Sequence, residues 1–374
     1  AIGAVFTSVA TSVTTTQTEM TDVATKVQRQ VRQVNRVSKS KAQQSLMTVS
    51  AQDFWIYRLD NVEREVYIER VEENRRTGRF VSANLQHKDA AFVAFERGPF
   101  GEGAERFAYR FYELGWDMKT VLGKALVAKE NRLIYDDDEA NRKQYVKIFC
   151  KTQQLAGRLA EEFNQKVKRT HRIHSSTPRV QFLDCSVYKL DDNSLGRVSV
   201  LVEDRIDETK WQKWNANNGY VAGMEQAPVF TEAEIADSFA KLTNLEDLDM
   251  IEEGSEEEES DEEEEVKKED RTLVFSAFEV AQAFSHFSYW ASGRKRLVCD
   301  LQGVYDEEAG CLRLSDPVIH YHNKYNTTRT QVHGRTDRGW KGMSMFFDTH
   351  KEHCGHLCKL VLRGIHRRRR PGPR

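Results

Sequence analysis

AFSHFSYWASGRKRLVCDLQGV, residues 283–304, sets His286 in an apolar, helix-like run and then feeds a short apolar strand, Leu297-Val298-Cys299, straight into Asp300. Gln302 follows two residues later. LSDPVIHY (314–321) repeats the device, with Leu312 and Leu314 flanking the approach to Asp316. GRTDRGWKGMSMFFDTH (334–350) then leads to His350, Cys354 and Cys358. Two strands that each end on a carboxylate can deliver both acids to one cleft. Phosphoryl transfer needs a carboxylate to orient the attacking hydroxyl and oxygen ligands to hold Mg²⁺ on the nucleotide phosphates. Asp300, Gln302 and Asp316 supply that set. A single Asp after a short strand is more often a turn residue or a helix cap, so the weight rests on the ordered constellation. Read together, these residues describe a magnesium-dependent phosphoryl-transfer site beside a zinc site, without the signature of an ordinary protein kinase.

In this order, and most densely in 283–304, 314–321 and 334–350, the residues resemble the atypical alpha-kinase family. The resemblance runs from about Arg79 to Arg363 with one interruption. It implies a two-lobed α+β kinase fold: an antiparallel sheet lobe, a cleft, and a mixed lobe held by a structural zinc. It also implies a serine/threonine protein kinase that moves the γ-phosphoryl group of ATP to a Thr or Ser hydroxyl of a protein substrate. Asp300 then positions or deprotonates that hydroxyl, and Gln302 and Asp316 hold Mg²⁺. The rival from another class is a catalytically silent pseudokinase scaffold acting through its helix and acidic loop; the intact polar positions argue against it.

The nucleotide lobe is read upstream. GPFGEGAERFAYRFYEL places Gly101 and Gly103 between the apolar strands 90–95 and 106–111, a turn that brings backbone amides close to phosphates. Most such hairpin turns bind nothing. Lys129 ends the short strand KALVAKE, where its ammonium reaches toward the α- and β-phosphates. In the family a Gly-rich turn with a following Arg precedes a strand lysine, so the resemblance implies phosphate contacts for Arg106 and Lys129. Phe149, Ala156, Leu159, Ala160 and Phe163 recur at helical spacing and predict a helix packed on the sheet, from which either Glu161 or Glu162 is a candidate partner for Lys129. VQFLDCSVYKL (180–190) and RVSVLVEDRI (197–206) read as a strand pair leading to a hinge. There the resemblance places Glu203, or the backbone beside it, at the adenine edge. Lys213 and Asn217 lie four apart, one turn if helical, and match the family's KxxxN segment ahead of Gly219; they are candidates for the terminal phosphate or bound substrate.

Zinc needs four tetrahedral ligands. Cys354 and Cys358 form an i, i+4 pair able to share one helical face. Eight residues of continuous helix would carry His350 about 12 Å from Cys358, so the spacing puts His350 in the turn before that helix. The family has one residue between this His and the first Cys; HKEHC has three, and His353 is a substitute. His350 is favoured for its FFxxH context, and the resemblance makes His286 the fourth ligand. Gly334, Gly339 and Gly342 in GRTDRGWKG resemble the family's C-terminal Gly-rich loop, which shapes the protein-substrate groove, while Asp337 alone reads equally as a turn residue.

Composition bounds the rest. With 374 residues, 39% hydrophobic and 30% charged, the chain is long enough for two lobes and extensions. Nothing in it approaches a membrane span. Cys150, Cys185, Cys299 and Cys311 sit in apolar surroundings that suit reduced thiols and a reducing, cytoplasmic compartment. Residues 246–270 hold 16 acidic and 2 basic side chains, a local net of −14 in a chain of net −2, which leaves the remainder at +12. Such a run cannot bury enough apolar surface to order itself. The expected organisation is therefore 1–50, an N-terminal fragment with an amphipathic helix through Met20, Val23, Val27, Val34 and Val37; 51–222, the sheet lobe and hinge; 223–275, an acidic disordered insertion; 276–365, the lobe with the Mg²⁺ and Zn²⁺ sites; and 366–374, a basic tail. AIGAVFTSVATSVTTT reads as the end of an upstream domain, and the start at Ala1 as a fragment or processed product. The N-terminal helix is a candidate for self-association. The tail lacks the interleaved aromatics of a nucleic-acid arm.

Overall fold

A computed structural model describes residues 47–72, 75–103, 105–131, 139–192, 196–226, 228, 230–244, 272–323, 325 and 330–365. The N-terminal amphipathic helix, the acidic run and the basic tail expected from the sequence lie outside the described residues.

Among the described residues, ten strands lie between Phe54 and Asp204: β1 (Phe54–Arg58), β2 (Val62–Glu72), β3 (Arg75–Ala83), β4 (Phe92–Glu96), β5 (Gly101–Glu102), β6 (Arg106–Leu114), β7 (Val121–Asn131), β8 (Arg179–Phe182), β9 (Cys185–Asp192) and β10 (Gly196–Asp204). All but β8 join one antiparallel sheet in the order β1-β4-β6-β7-β10-β9-β2-β3, with β5 folded back on β6. Aromatic and β-branched residues suit this pleated, two-sided surface. Tyr109 and Phe111 pack with Val93, Leu126, Tyr188 and Val202, while Tyr112 and Leu114 pack with Phe54 and Ala94 in a separate cluster.

The second lobe is built from β11 (Gln212–Lys213), β12 (Arg296–Cys299), β13 (Gln302–Asp306), β14 (Cys311–Ser315) and β15 (Val318–Tyr321). Strand order β11-β13-β14-β8 makes a four-stranded sheet, and β12 pairs with β15. The apolar run 180–190, expected as one strand, is divided. β8 runs parallel to β14, and after Leu183 and Asp184 the chain enters the large sheet as β9. A continuous apolar run does not encode which sheet each half joins.

Helix α1 (Glu139–Arg169) has 31 residues, about 46 Å at 1.5 Å per residue. Its first half buries Val146, Phe149 and Cys150 against the large sheet, and its second half buries Ala156, Leu159, Ala160 and Phe163 in the core of the other lobe. One helix thus spans both lobes. Helix α2 (Glu232–Asn244) falls inside 223–275, expected to be disordered throughout; it docks on α4 (Gly339–His353) through Lys341–Glu232 and the Ser238 hydroxyl on Asp348. Helix α3 (Ala277–Ala291) starts at a capping box: the Ser276 hydroxyl accepts from Glu279 N, and the Glu279 carboxylate accepts from Ser276 N. A break after α4 precedes α5 (His356–Leu362).

Candidate active site and metal centre

Asp300 and Asp316 stand where β12 and β14 end, both at positive φ, 57° and 53°, in the left-handed region that Asp tolerates better than most residues. Between them Gly303, at φ 150°, lets β13 press on β14; a Cβ there would lie 2.1 Å from the Arg313 carbonyl. That close approach sets Gln302 beside Ser315 on one side and Lys213 on the other. The Asp300 turn is fixed from behind by Asn215, fully buried, whose Oδ1 accepts from Leu301 N (3.1 Å) and whose Nδ2 donates to Ser285 Oγ (3.1 Å).

Two linked ionic groups fill the junction of the lobes. Asp316 is gripped by Arg106 Nη1 on one oxygen and by Lys129 Nζ on the other, at 2.9 Å. Lys129 also reaches Glu203 (2.9 Å) and Ser315 Oγ (2.6 Å), and that hydroxyl donates to Glu203 (2.5 Å). Gln153 of α1 donates to Glu203 (3.0 Å) and to the Leu183 carbonyl (2.6 Å). Arg106 donates through Nε to Tyr145 Oη (2.7 Å) and lies 4.3 Å over the Phe149 ring. In the second group, Lys213 Nζ sits 2.8 Å from Asp300 Oδ1, and Gln302 Nε2 is 3.4 Å from Oδ2. Three anions, Glu203, Asp316 and Asp300, face three cations, Arg106, Lys129 and Lys213. Removing one member of a buried pair strands its partner, at a cost of about 3–5 kcal/mol.

The charges tune one another. Burial works to raise Asp316, but Arg106 and then Lys129 overturn it and hold the carboxyl below its ordinary range. Burial works to lower Lys129, and Asp316 and Glu203 more than offset it. Asp300 is pushed up by burial, with Lys213 opposing. Asp300 is therefore the more basic acid of the two.

Sequence and structure part company at several of these positions. Lys129 pairs with Glu203 of β10, not with Glu161 or Glu162, which are exposed on α1. The Glu203 carboxylate is consumed by Lys129, Ser315 and Gln153, leaving only the backbone beside it for an adenine edge. Lys213 and Asn217 do not share a helix: Lys213 is in β11, and Asn217 is half-buried in the next turn. Gly219 is no helix cap; at φ +85° it passes 2.9 Å, measured from an ideal Cβ, from the Met345 carbonyl of α4. Of the two glycines expected in the hairpin turn, Gly101 lies in β5 opposite Ala108, and Gly103 opens the turn, its N donating to Arg106 O (2.8 Å). Of the C-terminal glycines, Gly339 and Gly342 lie in α4, and Gly342 leaves room for the buried His320 ring. Buried Asp337 anchors this segment by accepting from Tyr321 N, Gly339 N and His333 N. Gln153, Asn215, Ser315 and Tyr145 were not singled out from sequence. Gln153 alone carried a signal, as a polar residue four after Phe149 on an otherwise apolar stripe.

His286, His350, Cys354 and Cys358 meet with all four ligand atoms within 4.8 Å of one another. His286 Nδ1 is 3.0 Å from His350 Nε2 and 3.7 Å from Cys354 Sγ, and Cys358 Sγ is 3.6 Å from His350 Nε2. Zn–N bonds of about 2.0–2.1 Å and Zn–S bonds of about 2.3 Å place tetrahedral ligands roughly 3.3–3.8 Å apart, so the donor set fits zinc. Trp290 Nε1–H, 3.1 Å from His286 Nε2, asks for the opposite tautomer, and that contact has to loosen when Nδ1 takes a metal. Hydrogen bonding from the Cys358 thiol, then from His286 and His350, drives Cys354 toward the thiolate, while Cys358 is pushed up in return. The helix break falls later than expected: His350 lies in the last turn of α4, Cys354 caps that helix, and Cys358 is in α5. The two cysteines therefore do not share one helix. His353 points away, its ring 5.6 Å from Phe278.

A cavity of about 600 Å³ lies elsewhere, at the C-terminal end of α1 beside Phe287, Trp290 and Arg363. None of the charged residues at the lobe junction and none of the four metal-type ligands lines it.

The family model "Alpha-kinase family" matches residues 101–243 and 260–358, well over half of the chain. The chain belongs to the alpha-kinase family. It is similar to Alpha-protein kinase vwkA of Dictyostelium discoideum, 26% identical over 263 residues, covering 70% of this chain and 30% of that protein. It is also similar to Eukaryotic elongation factor 2 kinase of Rattus norvegicus, 23% identical over 282 residues, covering 73% of this chain and 27% of that protein. The chain thus spans about 30% of the length of these relatives. Among solved structures, the alpha-kinase domain of myosin heavy chain kinase A in complex with AMPPCP aligns with a TM-score of 0.45 at 18% identity, covering 80% of this chain and 94% of the other. Among the described residues, no helix of this alpha-kinase chain is long and apolar enough to cross a membrane.

Proposed function

We propose that the chain is an ATP-dependent protein kinase domain that phosphorylates Thr or Ser hydroxyls, with Asp300 as the acceptor-side acid. The observation that carries this reading is the meeting, at the junction of the lobes, of Arg106, Lys129, Glu203 and Asp316 with Asp300, Gln302 and Lys213, three cations facing three anions.

Asp316 and the Gln302 side-chain oxygen offer the hard oxygen donors that suit Mg²⁺, which when bound would neutralise the charge developing on the transferred phosphoryl group. Arg106 and Lys129 neutralise Asp316. Nucleotide phosphates would compete for those cations, and Asp316 would then be available to hold a metal. Lys129 is kept charged and aimed by Glu203 and Ser315, and the backbone beside Glu203 faces the adenine. Asp300, raised by burial yet held by Lys213, orients the attacking hydroxyl and takes its proton, while Lys213 is placed for the terminal phosphate. Family membership supports the same reading.

The four-ligand His₂Cys₂ set leaves no open position for water, so it would hold zinc structurally, clamping α3 to the α4–α5 corner. Protein substrates are the expected partners.

The test is incubation of the purified chain with γ-labelled ATP, Mg²⁺ and a mixed protein substrate, followed by mapping of phosphosites. Labelled Thr or Ser that disappears with Asp300→Asn is the expected result; binding of Mg-ATP without any transfer would favour a silent scaffold.

A further inference from the structure

We infer that Tyr145 is a positioning residue for nucleotide phosphates, acting through Arg106, with Phe149 as the floor of the same cradle. The inference rests on the reading of Arg106 as a phosphate ligand.

Tyr145 and Phe149 are four residues apart on α1 and so share one helical face. That face meets Arg106 twice, through the 2.7 Å bond from Nε to Tyr145 Oη and through the ring 4.3 Å beneath the guanidinium. Arg106 also holds Asp316 through Nη1. If Asp316 turns to a metal, the Nη1 contact is the one that has to be given up. An arginine released in this way would sample many rotamers, unless something else holds the guanidinium plane. The Nε bond does so without using either terminal nitrogen, and it leaves the Nη pair free for a two-pronged grip on phosphate. Because α1 also sends Gln153 to Glu203, one rigid helix places both phosphate-side cations, Arg106 directly and Lys129 through Glu203. The bland alternative is that Tyr145 is only a half-buried packing residue; it predicts a loss of stability unrelated to the nucleotide.

The test compares steady-state kinetics in Mg-ATP, and Mg-ADP affinity by titration calorimetry, for the parent chain, Tyr145→Phe, Arg106→Gln and the double variant. Tyr145→Phe should raise the KM for Mg-ATP and weaken Mg-ADP roughly tenfold, as for loss of a hydrogen bond to a charged group, with the KM for protein substrate unmoved. Added to Arg106→Gln it should do nothing more, because the two act as one unit. An unchanged nucleotide affinity in Tyr145→Phe, or an additive loss in the double variant, would overturn the inference. If Arg106→Gln itself leaves Mg-ADP affinity intact, the phosphate reading of Arg106 falls first and takes this inference with it; a weakened Arg106→Gln beside an unaffected Tyr145→Phe sinks the inference alone.

Discussion

Asp300 and Asp316 have the same covalent chemistry and are set apart by their neighbours. Asp316 faces two cations and is held down, whereas half-buried Asp300 faces one and is raised by its loss of solvent. Replacing Asp316 with Ala should lower phosphoryl transfer by roughly a thousandfold or more, since positioning and charge neutralisation provide most of this catalysis. Near-normal turnover of Asp316→Ala at saturating Mg-ATP would place the site elsewhere. The pH profile gives a second check. Asp300 must be ionised to accept a proton, and its raised pKa puts the acid limb of kcat/KM above the ordinary carboxylate range, with activity lost as pH falls through it. Lys213 opposes that rise, so Lys213→Met should move the limb to still higher pH; a limb that does not move belongs to another group. The carboxylates were legible in the sequence because each follows an apolar strand. Their cationic partners Arg106, Lys129 and Lys213 were legible through the resemblance, but Ser315, Asn215 and the pairing of Glu203 with Lys129 arise only from contacts between segments distant in the chain, and nothing local marks them.

The zinc-type cluster depends on where a helix stops. The requirement that His350 and Cys358 reach one ion forces a break, which the spacing places at His350, ahead of a helix carrying both cysteines. It falls instead at Cys354 and Gly355, which retains His350 within α4 and brings its ring to His286 of α3. Metal analysis should find about one zinc per chain. His350→Ala and Cys354→Ala should lose it and melt at markedly lower temperature, because structural zinc binding contributes directly to folding; His353→Ala should keep it. A full zinc complement in His350→Ala would shift the third ligand to His353. Gly342 tests the packing of the same helix. A Cβ there would lie 2.2 Å from Nε2 of His320, a fully buried ring, so Gly342→Ala should destabilise by about 1–3 kcal/mol as an overpacked core site. An unshifted denaturant midpoint would mean that the ring has somewhere to go.

The two lobes are not consecutive in sequence. β8 leaves the first half of the chain to pair with β14, and α1 contributes to both cores, so the division at 222 expected from the order of motifs does not separate them. Fold class and the antiparallel lobe were legible through the resemblance carried by 283–304, 314–321 and 334–350. The exchange of strands was not, since an apolar strand reads alike in either sheet. The same geometry bears on the acidic run, which lies outside the described residues. Before it, α2 is docked on α4 by Lys341–Glu232 and Ser238–Asp348. After it, Leu273 is pinned by bonds to Arg172 and His174. Both flanks are thus fixed to the second lobe by contacts that the acidic residues do not supply. Exchanging 252–270 for a neutral Gly/Ser stretch of equal length should therefore leave zinc content, melting temperature and turnover of Mg-ATP at high salt close to the parent. At low salt the parent carries a −14 run beside a remainder of +12, and attraction between them would compete with acidic protein substrates until ions screen it over about 10 Å at 0.1 M. A KM for acidic substrate that falls in the exchanged chain only at low ionic strength is the expected signature of such competition. Equal KM values at every salt concentration would make the run inert in catalysis, and loss of folding on exchange would make it part of the second lobe.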